Sequence, residues 1–327
     1  MSLAKRPASR RTLTRCPNAL AIAATLAWTI VTSARAEDVA LTFDDLPTLT
    51  FTDDLAYQQQ TTSELLAGLT AHHMPATGFV NERKLEGKNG EARIALLARW
   101  IDAGMDLGNH TYSHLSLNKT DVDAYIADVA KGETTTRSLL STRGRTLRWF
   151  RYPYLETGLT KHVRQTFESW LVAHGYRVAP VTLENSDWQF AIPYDDAILR
   201  NDNVTAAHIR REYLDYTTQM VRWYRQAALS LLDRRPALVF LLHASRLNAD
   251  CIDRLAEILR NNDLHPVPLD KAMRDPAYKI ADTYIGPDGD EWLSRWSLTL
   301  HKDLPWDSFR EPPADIVAAD NRLEPNQ

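Results

Sequence analysis

Val39-Ala40-Leu41-Thr42-Phe43-Asp44-Asp45-Leu46-Pro47 reads as an apolar β-strand that ends on two adjacent carboxylates and leaves through a Leu-Pro step. Side chains alternate faces along a strand, so neighbouring acids reach one cavity only where the strand gives way to a loop. The pattern recurs. Further apolar runs end on or near His110-Thr111-Tyr112-Ser113-His114, Arg151-Tyr152-Pro153-Tyr154, Asp187-Trp188 and Leu241-Leu242-His243.

Working outward, strands are predicted over 39–43, 76–80, 105–109, 147–152, 177–183, 237–242 and 266–269. Helical patterns fill the intervals at 55–73, 92–103, 121–140, 161–174, within 206–232 and at 250–260. Seven strands alternating with helices predict an α/β fold with a parallel sheet, closed as a barrel or open and doubly wound. In β/α barrels the C-terminal strand ends carry the chemistry. Asp44-Asp45, His110, Arg151–Tyr154 and His243 all fall there, with Asp187-Trp188 four residues beyond its strand.

The N-terminus is basic, with Lys5, Arg6, Arg10, Arg11 and Arg15, then apolar from Ala19 to Val31, then Ala34-Arg35-Ala36. This predicts a secretory signal peptide over residues 1–36, too short in its apolar part for a comfortable membrane span. Ser9-Arg10-Arg11-Thr12-Leu13 partly resembles a twin-arginine signal. Cleavage would remove six of the 38 basic residues and none of the 42 acids, taking the net charge from −4 to −10. An exported chain that acidic, periplasmic or secreted, is a poor partner for nucleic acid or an anionic membrane. Only Cys251 would remain, so no internal disulfide is expected.

The residue types at the strand ends suit metal-assisted hydrolysis. His110 and His114, four apart, are expected on one face of a helical turn, where they can share an ion. A lone His-x-x-x-His is weak; a carboxylate on another strand end strengthens it. One carboxylate and two imidazoles leave positions open, as in a catalytic site. Zn²⁺ is the first expectation, and Co²⁺, Fe²⁺ or Mn²⁺ fit similar ligands. The second acid of the pair is then placed to take a proton from water.

Together, Thr42–Asp45, His110–His114, Phe150–Tyr154, Asp187-Trp188 and Leu241–His243 resemble the five ordered motifs of the polysaccharide deacetylases, the NodB-homology enzymes of carbohydrate esterase family four. The resemblance runs from about Val39 to Leu269. It implies a distorted (β/α)7 barrel over 37–275, with an insertion at 189–236 before the last motif and a C-terminal extension, 276–327, packing on the barrel. It implies Asp44 as general base, Asp45, His110 and His114 as metal ligands, and Arg151 holding Asp44 ionised. The backbone N–H of Tyr154 would meet the oxyanion. His243 would be the general acid, oriented by Asp187. Trp188, Leu241, Tyr152 and Pro153 would line the substrate pocket. The implied substrate is an acetylated glycan, cleaved at an N-acetyl group; the alternatives are an amidohydrolase for a small non-sugar amide and a non-catalytic glycan-binding module. Leu46 and Leu155 stand where the family commonly has glycine, which alters loop shape. Trp223 and Tyr224 in the insertion, and Trp292 and Trp296 in the extension, are expected to pack rather than meet sugar.

Overall fold

A computed structural model describes residues 36–323, so the signal-peptide expectation lies outside the described residues. The chain opens on β1 (Glu37–Leu46), α1 (Leu55–Ala71), β2 (Ala76–Val80) and α2 (Gly90–Asp102). Next come β3 (Asp106–Asn109), α3 (Val122–Lys131), α4 (Thr134–Ser141) and β4 (Trp149–Phe150). The second half holds α5 (Lys161–Ala173), β5 (Arg177–Val178), α6 (Asp187–Leu199) and α7 (Asn203–Leu232). After β6 (Leu238–His243), α8 (Arg246–Asn261), β7 (Leu264–Pro266) and α9 (Leu269–Ala272), the extension carries α10 (Trp292–Leu300) and α11 (Ala314–Leu323).

All pairings among the seven strands are parallel, in the order β5-β4-β3-β2-β1-β6, with β7 beside the start of β1. Between β5 and β6 the gap is spanned by a single parallel bridge, Leu183 to Phe240. The result is a distorted (β/α)7 barrel. Parallel strands covered by helices are apolar on both faces, and every residue of β2 is buried. Side-chain caps start the helices where the chain needs to turn: Asp54 before α1, Thr160 before α5 and Ser245 before α8.

Three expectations change in detail. The ladders predicted over 147–152 and 177–183 shrink to two residues each, because the chain beyond them turns into the cavity wall or bridges to β6. The single helix predicted over 121–140 is two. It breaks at Gly132, where a Cβ would meet the backbone of Thr111 and Tyr112. Helix α4 then starts afresh, with Thr135 and Thr136 N–H donating to the Glu82 carboxylate. Asp187 and Trp188 do not trail a strand; they open α6, so the insertion grows out of the fourth motif.

Trp292 and Trp296 are buried, as are Trp223 and Tyr224 of α7. Among the described residues no helix is long and apolar enough to cross a membrane.

Candidate active site

Asp44 and Asp45 both reach the cavity because the β1 ladder slips between Phe43 and Leu46. Asp45 has φ of 66°, so the alternation of faces ends there. Asp44 stays in register opposite His243 of β6, which places a carboxylate and an imidazole side by side across parallel strands.

His110 and His114 do meet, with ring centroids 4.9 Å apart. They do so without a helix. Residues 110–114 form an irregular turn with positive φ at Thr111 and His114. Local polar groups impose that shape. Asn109 Oδ1 accepts from Thr111 N–H at 2.7 Å, Thr111 Oγ1 from His114 N–H at 2.9 Å, and Asp128 Oδ2 from the N–H groups of Tyr112 and Ser113. Gly132 lets the turn lie directly on the α3–α4 break.

One ligand atom each from Asp45, His110 and His114 lie within 4.8 Å of one another. Asp45 Oδ1 is buried without a hydrogen-bond partner, 4.0 Å from His110 Nε2 and 3.8 Å from His114 Nε2. An orphaned carboxylate oxygen between two imidazole nitrogens is costly unless a cation joins them. His110 Nδ1 lies 2.9 Å from the Arg151 carbonyl. Donation there leaves the Nε2 lone pair on the Asp45 side, the orienting contact that metal-binding histidines use. Burial pushes both imidazoles down to about 4, so they are neutral at pH 7. The unfolded chain takes up these protons first, so their contribution to stability fades as pH falls from about 6.5 to about 4. Burial opposes charge on Asp45. Yet the Lys84 ammonium, 3.6 Å from Oδ2, and the nearby imidazoles hold its carboxyl well below the usual range. Two neutral nitrogens and one anionic oxygen are the protonation states a divalent ion requires.

Arg151 is fully buried, and its Nη1 donates to Asp44 at 3.2 and 3.4 Å. Its other donors bond the Ala179 carbonyl and Thr42 Oγ1. The Arg151 charge favours the ionised form of Asp44, as expected from the pairing. Burial raises the Asp44 carboxyl pKa by more than Arg151 lowers it, so the group is shifted upward. A carboxyl moved toward neutrality is a better general base than one held far below it.

His243 Nδ1 and backbone N–H both contact Asp187, at 2.7 Å each. Asn248 braces the pair through Asp187 Oδ2 and the His243 carbonyl. Burial alone would lower the imidazole pKa, but the charge and hydrogen bond of Asp187, with Asp45 and Asp44 nearby, raise it to about 9.

These groups open on a cavity of about 760 Å³, whose wall includes Asp44, Asp45, His110, His114, His243, Trp188, Leu241 and Tyr152. Pro153 is not in that wall; it is buried, at the start of the short turn Pro153–Leu155. In that turn Tyr154 and Leu155 both take positive φ, 55° and 54°, a strain on the order of 1–2 kcal/mol per residue. The Tyr154 ring, half exposed, packs edge-on over His114 with centroids 4.5 Å apart. Arg151 and Asp187 lie behind the wall and act through Asp44 and His243.

Sequence reasoning missed Lys84, Asn248, Glu184 and the wall contributed by Gly289, Glu291, Trp306 and Phe309. Lys84 follows β2 on the same barrel face, and that position was its one available signal. The others come together only through tertiary packing.

The sequence profile described as polysaccharide deacetylase matches residues 32–178. Over that stretch the chain resembles the polysaccharide deacetylases. Over 152 residues it is 30% identical to a peptidoglycan-N-acetylglucosamine deacetylase of Bacillus cereus, covering 46% of each chain. Over 165 residues it is 29% identical to a chitin deacetylase of a Pestalotiopsis species, covering 49% of this chain and 47% of that one. The chain thus spans about half the length of the curated relatives it matches. In fold it resembles the chitin deacetylase from the fungal pathogen Colletotrichum lindemuthianum, with a TM-score of 0.50 and 21% identity over 73% of this chain and 88% of that one. Asp187, His243 and the extension lie beyond the residues the profile matches.

Proposed function

We propose that the chain is an exported, metal-dependent deacetylase that hydrolyses acetyl groups, chiefly N-acetyl groups of amino sugars, on a cell-wall or extracellular glycan. The observation that carries this reading is the Asp45–His110–His114 cluster, with Asp44 and His243 beside it in one cavity. Residues 37–275 would form the catalytic domain, with 276–327 packed against it.

Asp45, His110 and His114 would hold a divalent ion, with Zn²⁺ the first choice for this donor set. Bound there, the ion supplies Lewis-acid polarisation of an acyl carbonyl and acidifies water. Asp44 takes the proton of the attacking water, and Arg151 fixes its carboxylate. The Tyr154 N–H meets the oxygen that becomes negative. His243 then gives a proton to the departing amine nitrogen, so acetate and a free amine leave. Trp188 and Leu241 would supply the apolar wall for the acetyl methyl.

Acetate release from a panel of peptidoglycan, chitin oligomers, poly-N-acetylglucosamine and acetylated xylan, after chelation and metal restoration, tests the reading. Activity on one N-acetylated member should vanish with chelation and return with the ion; acetate release indifferent to metal would sink the reading. The pH profile adds a second check. His243 must stay protonated, so activity should fall as pH rises through about 9. Asp187→Asn should move that alkaline limb downward, since it removes the charge that raises the imidazole pKa.

A further inference from the structure

We propose that Arg295 and Gly289 of the C-terminal extension are positioning residues that hold the Tyr154–Leu155 turn in its left-handed shape, and with it the Tyr154 N–H. The inference rests on the proposed role of that N–H.

Arg295 is fully buried, yet its partners lie on two separate parts of the chain. Nη2 donates to the Leu155 carbonyl at 2.5 Å and Nη1 to Thr157 Oγ1 at 2.9 Å. On its own side, Nε donates to the Asp290 carbonyl at 2.8 Å and Nη1 meets Asp282 Oδ2 at 3.1 Å. The guanidinium also lies over the Trp292 ring, 4.5 Å from its centroid. A planar fork with all three nitrogens engaged has one orientation available. Asp282 in turn pairs with Arg164 of α5 at 3.0 Å, which ties the fork to the barrel.

Gly289 completes the grip. A Cβ there would collide with the Tyr154 carbonyl oxygen. The extension therefore seats against the backbone of Tyr154 while Arg295 holds the next carbonyl. Leu155 N–H closes the turn onto the Tyr152 carbonyl at 3.2 Å. Two consecutive side-chain-bearing residues at positive φ persist only where surrounding contacts over-determine them. Here those contacts come from residues 289–295, more than 130 positions along the chain.

The test compares Gly289→Ala, Arg295→Gln and Arg295→Lys with the wild type for kcat, KM, metal affinity, thermal stability and amide exchange across 152–157. Gly289→Ala is expected to lower kcat by about tenfold to a hundredfold, the penalty for misplacing a reacting group. KM and metal affinity should hold near wild type, the melting temperature should fall modestly, and amide exchange at Tyr154 and Leu155 should quicken. Arg295→Lys should keep more activity than Arg295→Gln. If Arg295→Gln does not fold, Gly289→Ala decides alone. Gly289→Ala with wild-type kcat, or with unchanged exchange in the turn, overturns the inference. Asp44→Asn is assayed alongside. Should the wild type release no acetate, or Asp44→Asn stay active, the functional reading fails instead, and the exchange data still judge whether the extension holds the turn.

Discussion

Asp44→Asn is expected to lower kcat by about 10²–10⁴-fold, the usual worth of a positioned general base, while metal affinity and fold survive. The substitution is nearly isosteric. Asp44 is not among the three residues whose ligand atoms converge, so its loss should leave ion binding intact. Its carboxyl is buried and faces both Arg151 and His243, which makes it the group best placed to take a proton from water. Steady-state kinetics with equilibrium dialysis of the ion separate the outcomes. Activity within about threefold of wild type would remove Asp44 from the chemistry, since a lost base costs far more than that.

Arg151→Met should be the most damaging single change for stability, at about 3–5 kcal/mol, because removing one member of a buried ion pair strands the other. Arg151 is fully buried beneath β1, and its donors serve Asp44, Thr42 and Ala179. Urea unfolding of Arg151→Met, Asp44→Asn and the double variant measures the coupling. The double variant is expected to be less destabilised than the sum of the singles, since it leaves no stranded carboxylate. Strict additivity would mean that the pair is not coupled.

The extent to which the site can be read from sequence differs by element. Ala76–Val80 is legible to the residue, because a strand buried on both faces carries no charged side chain, only small, β-branched and apolar ones. The Asp44-Asp45 exit is legible as well, since two acids at the end of such a run have no place inside it. His110 and His114 are found by their spacing, but the geometry inferred from that spacing is wrong. Four residues suit a helical turn, and the actual loop is shaped by Asn109, Asp128 and Gly132. Two of those are long-range partners that no local pattern displays. The same limit hides the grip on Tyr154: Leu155 and Arg295 are 140 positions apart. The electrostatics of Asp44 also depended on depth. Pairing with an arginine is visible in the motifs, whereas the burial that outweighs it is a property of the closed barrel.

Anomalous diffraction from crystals grown with Zn²⁺ addresses the metal centre directly. A single strong peak is expected within about 2.0–2.2 Å of an Asp45 oxygen and of a nitrogen from each of His110 and His114, and it should be lost in His114→Ala. A peak coordinated elsewhere, or one that persists unchanged in His114→Ala, would contradict the account.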